Sequence, residues 1–279
     1  MQLRTQRKTD NMQNKVILPQ WLDQLIFEKL GAKYCRANAD MTVIDWDKND
    51  VLNYLGTYFP RSYAESYCIF SEFFKSVPQQ FADKKELRIL DFGCGTGGEM
   101  VGLLQSIDSF LPQVTHINLV GIDGNLHALR LLEKIIAEYQ KRTRLVISIQ
   151  IAPIHIGNFY DLSILNEIIK DQFDLILSFK AICEFVAKDQ FEGANPYSHI
   201  VNTYFPYTSN SGIIVLVDVT SYNNVSNEWL PMMMDKGLAS TNCKIVNRND
   251  GYNYTFSIKH SRTNECFDYS KVCWRIVKQ

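Results

Sequence analysis

Residues 87–100 read LRILDFGCGTGGEM, from Leu87 to Met100. An apolar run leads into Asp91. Glycines follow at positions 93, 95, 97 and 98, and after them Met100, Leu103, Leu104, Ile107 and Leu111 recur at helical spacing. The segment therefore predicts a strand, a glycine turn and a helix. Glycines let the backbone turn sharply and let a ligand approach the main chain. The helix that follows presents free N–H groups and a partial positive end to whatever lies in the turn.

Short apolar runs at 87–92, 116–122, 144–151, 173–179 and 212–219 alternate with helical windows near 98–110, 125–142, 160–170, 181–190 and 195–206. That alternation predicts parallel strands joined by crossovers. Toward the C-terminus, 226–239 reads as a helix, and 252–260 and 271–278 read as strands that pair antiparallel. Upstream, 20–31 reads as a short helix closed by Gly31. The aromatic-rich stretch 48–77 reads as two helices, with Pro60 starting the second. The expected class is α/β: a Rossmann-like, doubly wound, mostly parallel sheet with a C-terminal antiparallel strand pair and an N-terminal helical cap. The expected boundaries are a flexible tail at 1–15, a helical cap at 16–82 and a core at 83–279.

Lysine and arginine (29) nearly cancel aspartate and glutamate (30), so no global field draws a polyanion to the chain. The seven cysteines are odd in number, irregularly spaced and without a CxxC pair, so thiols of a reducing, cytoplasmic setting are expected rather than a disulfide framework. The five histidines share no ligand spacing, and no metal is expected. The N-terminal fifteen residues lack an apolar signal region, and no run is long and apolar enough for a membrane span.

Gly93, Gly95 and Gly98 also satisfy GxGxxG, the dinucleotide pattern, which would imply NAD. Asp91, two residues before the first glycine, and Glu99, at the helix start, argue against a diphosphate and for a cationic ligand. ILDFGCGTGG resembles the first motif of class I S-adenosylmethionine-dependent methyltransferases. The resemblance implies that S-adenosylmethionine lies along Asp91, Gly93, Cys94, Gly95 and Gly97. Asp123, in Val120-Gly121-Ile122-Asp123-Gly124, matches the second motif, where a carboxylate accepts hydrogen bonds from the ribose hydroxyls beside Gly124. Asn158 and Phe159 resemble the pair that meets the adenine amino group and ring. Phe173-Asp174-Leu175-Ile176-Leu177-Ser178 resembles the fourth motif and brings Ser178 and Phe179 to the ligand edge. Lys180 and Glu184 are the polar groups nearest that edge, and either could orient a substrate or take a proton. Asn195-Pro196-Tyr197 lies too far downstream for the NPPY motif of amino-group methylases and reads as a turn.

YLGTYFPRSYAESYCIFSEF (54–73) and DLILSFKAICEF (174–185) together look like the methyltransferase-like family associated with assembly of the mitochondrial small ribosomal subunit. That resemblance implies an RNA partner. The compact cysteine cluster of that family is absent here, and Cys266 and Cys273 do not replace it. Tyr54, Tyr58, Phe59, Tyr63 and Tyr67 repeat at helical spacing and serve either packing or a roof over the site. The expected function is methyl transfer from S-adenosylmethionine to a small-molecule acceptor, or to RNA. The alternatives are a catalytically silent assembly factor that keeps the cofactor site and an NAD-dependent oxidoreductase.

Overall fold

The computed structural model describes residues 14–36, 47–186, 194–249 and 254–279. Most of the expected tail, part of the window 181–190 and the start of 252–260 lie outside them. In chain order the elements are β1 (Lys15–Ile17), α1 (Gln20–Asp23) running into a π-helical turn (Gln24–Lys29), α2 (Lys48–Ser76), β2 (Glu86–Phe92), α3 (Gly98–Phe110), β3 (His116–Asp123), α4 (Leu126–Gln140), β4 (Val146–Pro153), α5 (Leu165–Ile168), β5 (Phe173–Phe179), α6 (Ile182–Phe185), α7 (Pro196–Tyr204), β6 (Thr208–Val219), a hairpin of β7 (Tyr222–Asn223) and β8 (Glu228–Trp229), α8 (Leu230–Ala239), β9 (Lys244–Arg248), β10 (Thr255–Lys259) and β11 (Asp268–Lys278).

The main sheet runs β1-β10-β11-β6-β5-β2-β3-β4, with β9 also pairing β11. Strands β2 to β6 are mutually parallel, and β11 is antiparallel to β6, β9 and β10. The expected doubly wound sheet with a C-terminal antiparallel pair is therefore present, widened by β1 and β9. The chain winds from β2 through β3 to β4, then returns to place β5 on the other side of β2. The strand order thus reverses between β2 and β5, and a ligand crevice opens at the carboxyl ends of strands flanking such a point.

Side-chain alternation splits the core across the sheet. Leu87 and Ile89 of β2 join the apolar cluster beneath α2, α3 and α4. Leu90 and Phe92 join the cluster beneath α7 and α8. By the same alternation Asp91 faces the α2–α3 side.

Residues 48–76 form one continuous helix with Pro60 inside it, not two helices. A capping box starts it, with Asp47 accepting from the N–H of Asn49 (2.6 Å) and Asp50 (3.0 Å). An interior proline costs a helix about 3 kcal/mol. Here burial of Phe59, Tyr63, Phe70, Phe73 and Phe74 along the same helix offsets that cost.

Helices α2 and α3 touch backbone to backbone. A Cβ on Gly98 would strike the Phe59 carbonyl, and one on Gly102 would lie 2.5 Å from the Tyr63 carbonyl oxygen. Ser66 donates to the Glu99 carbonyl at 2.6 Å across the same seam. Gly102→Ala is expected to cost about 1–3 kcal/mol through overpacking, measured as a lower urea midpoint.

The expected helix over 160–170 shrinks to the single turn of α5. Asn158 Oδ1 accepts from the Tyr160 N–H (3.0 Å), and Asp161 Oδ1 accepts from the Ser163 hydroxyl (2.7 Å). These local bonds hold the chain in turns that compete with helix. Likewise 226–239 is helical only from Leu230, at whose second position Pro231 fits without needing a donor.

Candidate active site

Strand β2 delivers Asp91 to the switch point one residue before the strand ends, and the glycine turn carries the chain over it. Gly93, Gly95 and Gly97 adopt φ of 74°, 48° and 78°, the left-handed region that glycine enters without strain. The Gly93 and Cys94 N–H groups donate to the Ile122 carbonyl (2.8 and 3.1 Å), which ties the turn to β3. Cys94 is buried, and burial pushes its thiol well up, so it serves as packing.

Asp123 ends β3 with both oxygens engaged. Oδ2 accepts from the Gly95 N–H (2.8 Å) and Oδ1 from the Asn125 N–H (2.7 Å). The sequence places this carboxylate at the site, and the structure adds that it braces the glycine turn. Each oxygen keeps a further lone pair for a ligand hydroxyl.

Asp91 is in a different state. It is 0% exposed, no cation or N–H group reaches its carboxylate, and the side chain it pairs with is another acid, Glu99. Burial, then the neighbouring Glu99 and Asp123, hold its carboxyl well above the usual carboxylate range. Glu99, in the first turn of α3, is also buried, and that burial pushes it up to about 8. Burying a carboxyl without a cation or an N–H donor is costly, and two acids buried side by side raise that cost.

Tyr54 of α2 lies over the turn. Its ring carbon would sit 3.2 Å from a Cβ on Gly95, and its ring stacks on Tyr58 at 5.0 Å. The aromatic stretch of α2 therefore divides. Tyr54 reaches the glycine turn with Tyr58 stacked on it, while Phe59 and Tyr63 are buried packing and Tyr67 stacks on Tyr63.

At the end of β5, Ser178 is buried with its hydroxyl unpartnered, and Phe179 is buried with its ring toward Phe70 of α2 at 6.4 Å. Lys180 follows at φ 56°, an uncommon conformation for a residue with a side chain. Its ammonium bonds Glu65 Oε2 of α2 at 2.8 Å. Glu65 is 0% exposed, and its second oxygen has no partner. Glu184 reaches solvent yet is hemmed in by protein. That partial burial pushes its carboxyl up to about 8 against the pull of Lys180, with Asp123, Asp218 and Glu99 adding to the rise.

The remaining expected residues sit at the margin. A Cβ on Gly124 would meet the Ile154 carbonyl oxygen in ordinary contact, at 3.5 Å. Asn158 is exposed in its turn, and Phe159 is buried in the lower cluster, edge-on to Phe92 at 6.4 Å. Asn195 caps α7 by accepting from the N–H of Tyr197 (3.0 Å) and Ser198 (3.3 Å), so Asn195-Pro196 is a helix start.

Sequence reading missed Glu65 and Thr96. Glu65 is a lone acid on an apolar stretch of helix, and that misfit is the signal that could have found it. Thr96 is the hydroxyl of the glycine turn, and it is buried without a partner. Among the described residues no group of three or more histidines, cysteines or acids is placed to hold a metal ion.

The strand order and the glycine turn at its reversal define a Rossmann-like, doubly wound α/β fold. A candidate RNA methyltransferase from Pyrococcus horikoshii is similar in chain path, with a TM-score of 0.46 at 9% identity over 94% of this chain and 98% of that one. A candidate class I S-adenosylmethionine-dependent methyltransferase from Listeria monocytogenes gives 0.45 at 12% over 84% and 69%. One from Methanococcus maripaludis gives 0.45 at 15% over 87% and 97%. No protein-family model matches the chain, and no curated protein matches its sequence.

Proposed function

We propose that the chain is an S-adenosylmethionine-dependent methyltransferase. The observation that carries this reading is Asp91: a buried carboxyl beneath a glycine turn that no cation or N–H group satisfies and that faces another acid, Glu99. A ligand ammonium supplies the charge and the donors that such a group lacks. Glu99 and Asp123 beside it disfavour a diphosphate, which argues against NAD.

The residues fit the cofactor as follows. Asp91 receives the ammonium, and Gly93, Cys94, Gly95, Thr96 and Gly97 form the wall along its chain. Asp123 and Gly124 meet the ribose. Asn158 and Phe159 flank the adenine, and Ser178 and Phe179 close the edge at β5. When bound, the cofactor supplies an electrophilic methyl group on a positively charged sulfur. The protein orients the acceptor and excludes water. No helix among the described residues is long and apolar enough to cross a membrane. The near-neutral charge favours a small-molecule acceptor over RNA.

Formation of S-adenosylhomocysteine with an acceptor separates this enzyme from a silent cofactor-binding assembly factor, which binds but does not turn over. A pH dependence follows as well. Glu99 titrates near 8, so at pH 6 it is protonated in the free protein. A cation in the site favours the ionised form. Affinity for S-adenosylmethionine is therefore expected to rise from pH 6 to 8 and to level off above. Calorimetry at pH 7 in two buffers of different ionisation enthalpy should show protons released on binding. Affinity that falls over this range would contradict the acidic site.

A further inference from the structure

We propose that Tyr54 reads the charge on the cofactor's sulfur: its ring holds the sulfonium of S-adenosylmethionine and releases the neutral thioether of S-adenosylhomocysteine. The proposal rests on the methyltransferase reading above and names the residue that tells fresh cofactor from spent.

The placement follows from Gly95. Its N–H donates to Asp123, the carboxylate assigned to the ribose, at 2.8 Å. Asp91, assigned to the ammonium, lies beneath the same glycine turn. The sulfur joins the amino-acid chain to the ribose, so a cofactor held at both ends carries its sulfur past the turn at Gly95. The side chain found there is Tyr54. A Cβ on Gly95 would lie 3.2 Å from the Cε1 atom of its ring, 3.3 Å from its hydroxyl oxygen and 3.5 Å from Cζ.

The ring is braced. It stacks on Tyr58, with centroids 5.0 Å apart and the two planes at 25°. The Arg61 guanidinium lies over the Tyr58 ring at 5.5 Å. Arg61 also donates twice to Asp268 at the start of β11, from Nε at 2.7 Å and from Nη2 at 3.0 Å. Asp268 is buried. The aromatic pair is therefore tied from α2 to the sheet, and a ring already in position loses little freedom when a ligand arrives.

An aromatic face attracts a cation within about 6 Å of its centre, and more strongly where water is excluded. S-adenosylmethionine and S-adenosylhomocysteine share the ammonium, the ribose and the adenine. They differ at sulfur, by one methyl group and one positive charge. Asp91 and Asp123 meet the parts that both compounds share, so a group beside the sulfur is what separates them. Methyl transfer removes the charge, and with it the attraction to the ring. Exchange of spent cofactor for fresh is favoured as a result.

Calorimetric titration of the full chain with S-adenosylmethionine, S-adenosylhomocysteine and sinefungin tests this. Sinefungin has no sulfonium and carries a protonated amine in its place. Two variants are compared: Tyr54→Phe, and pentafluorophenylalanine at the same position, which keeps the ring's shape and reverses the charge on its face. Tyr54→Phe is expected to retain the preference for the two charged compounds. The fluorinated ring is expected to weaken both of them about 2- to 30-fold and to leave S-adenosylhomocysteine nearly unchanged. Loss of all three ligands by the same factor on fluorination would make Tyr54 a packing residue and overturn the proposal. So would equal affinities in the two variants. Loss of the preference already in Tyr54→Phe would place the discrimination in the hydroxyl and overturn the role of the ring. Silence of the wild type toward all three compounds is seen before any variant is made, and that result strikes the methyltransferase reading itself.

Discussion

Asp91→Asn is expected to weaken S-adenosylmethionine binding while making the ligand-free protein more stable. The lost interaction is a charge-assisted hydrogen bond to an ammonium in a dry site. Such bonds contribute about 1.5–3 kcal/mol, or roughly a 10- to 150-fold change in Kd. The stability change has the opposite sign because Asp91 is buried beside another acid, Glu99, without a cation, and is raised well above its ordinary range. An acid whose folded pKa lies above its unfolded value stabilises the fold fully below the unfolded value, and that contribution is lost as pH climbs toward the folded one. Glu99 behaves in the same way up to about 8. The ligand-free wild type is therefore expected to melt at progressively lower temperature between pH 5 and pH 8, and Asp91→Asn to flatten part of that decline. Thermal scans across this range, with and without cofactor, check both signs. A variant that is less stable and binds normally would place Asp91 in a structural role.

Lys180→Ala is expected to have the largest effect on stability. Lys180 is the only partner seen for the Glu65 carboxylate among the described residues, and Glu65 has no exposure to water. Removing one member of such a pair strands the other and typically costs about 3–5 kcal/mol. Removing both does not leave a stranded charge, so Glu65→Ala combined with Lys180→Ala should recover part of the loss. The double-mutant cycle in urea gives the coupling directly. Additive single losses would mean that the 2.8 Å contact contributes little. The pair also ties α2 to the end of β5, so loss of Lys180 should loosen the acceptor side of the crevice. A fall in kcat larger than the rise in Kd for the cofactor would show that loosening.

The glycine turn, Asp91, Asp123 and the strand alternation were legible because each depends on local sequence. A turn needs glycine where φ is positive, and a parallel strand buried on both faces needs an apolar run. Pro60 misled for the same reason. Its local rule is to break or start a helix, and the rule lost to the packing of Phe59, Tyr63 and Phe70, which only the tertiary structure reveals. The window 160–170 shows the converse. Its apolar spacing suited a helix, but side-chain bonds from Asn158 and Asp161 captured the backbone first. The misfit of an acid on an apolar helix could have marked Glu65, but its role could not be read from sequence, since its partner Lys180 lies 115 residues away. Strands β1 and β9 were missed because a three-residue edge strand and a half-buried five-residue strand carry too little alternation to stand out.

The central claim is that the acidic glycine turn receives a cationic sulfonium cofactor. Calorimetric titration of the purified protein with S-adenosylmethionine, S-adenosylhomocysteine and NAD at pH 8 tests it most directly. Binding of both sulfur compounds, the sulfonium more tightly than the thioether, and no binding of NAD is the predicted result. Binding of NAD, or silence toward S-adenosylmethionine, would contradict the account.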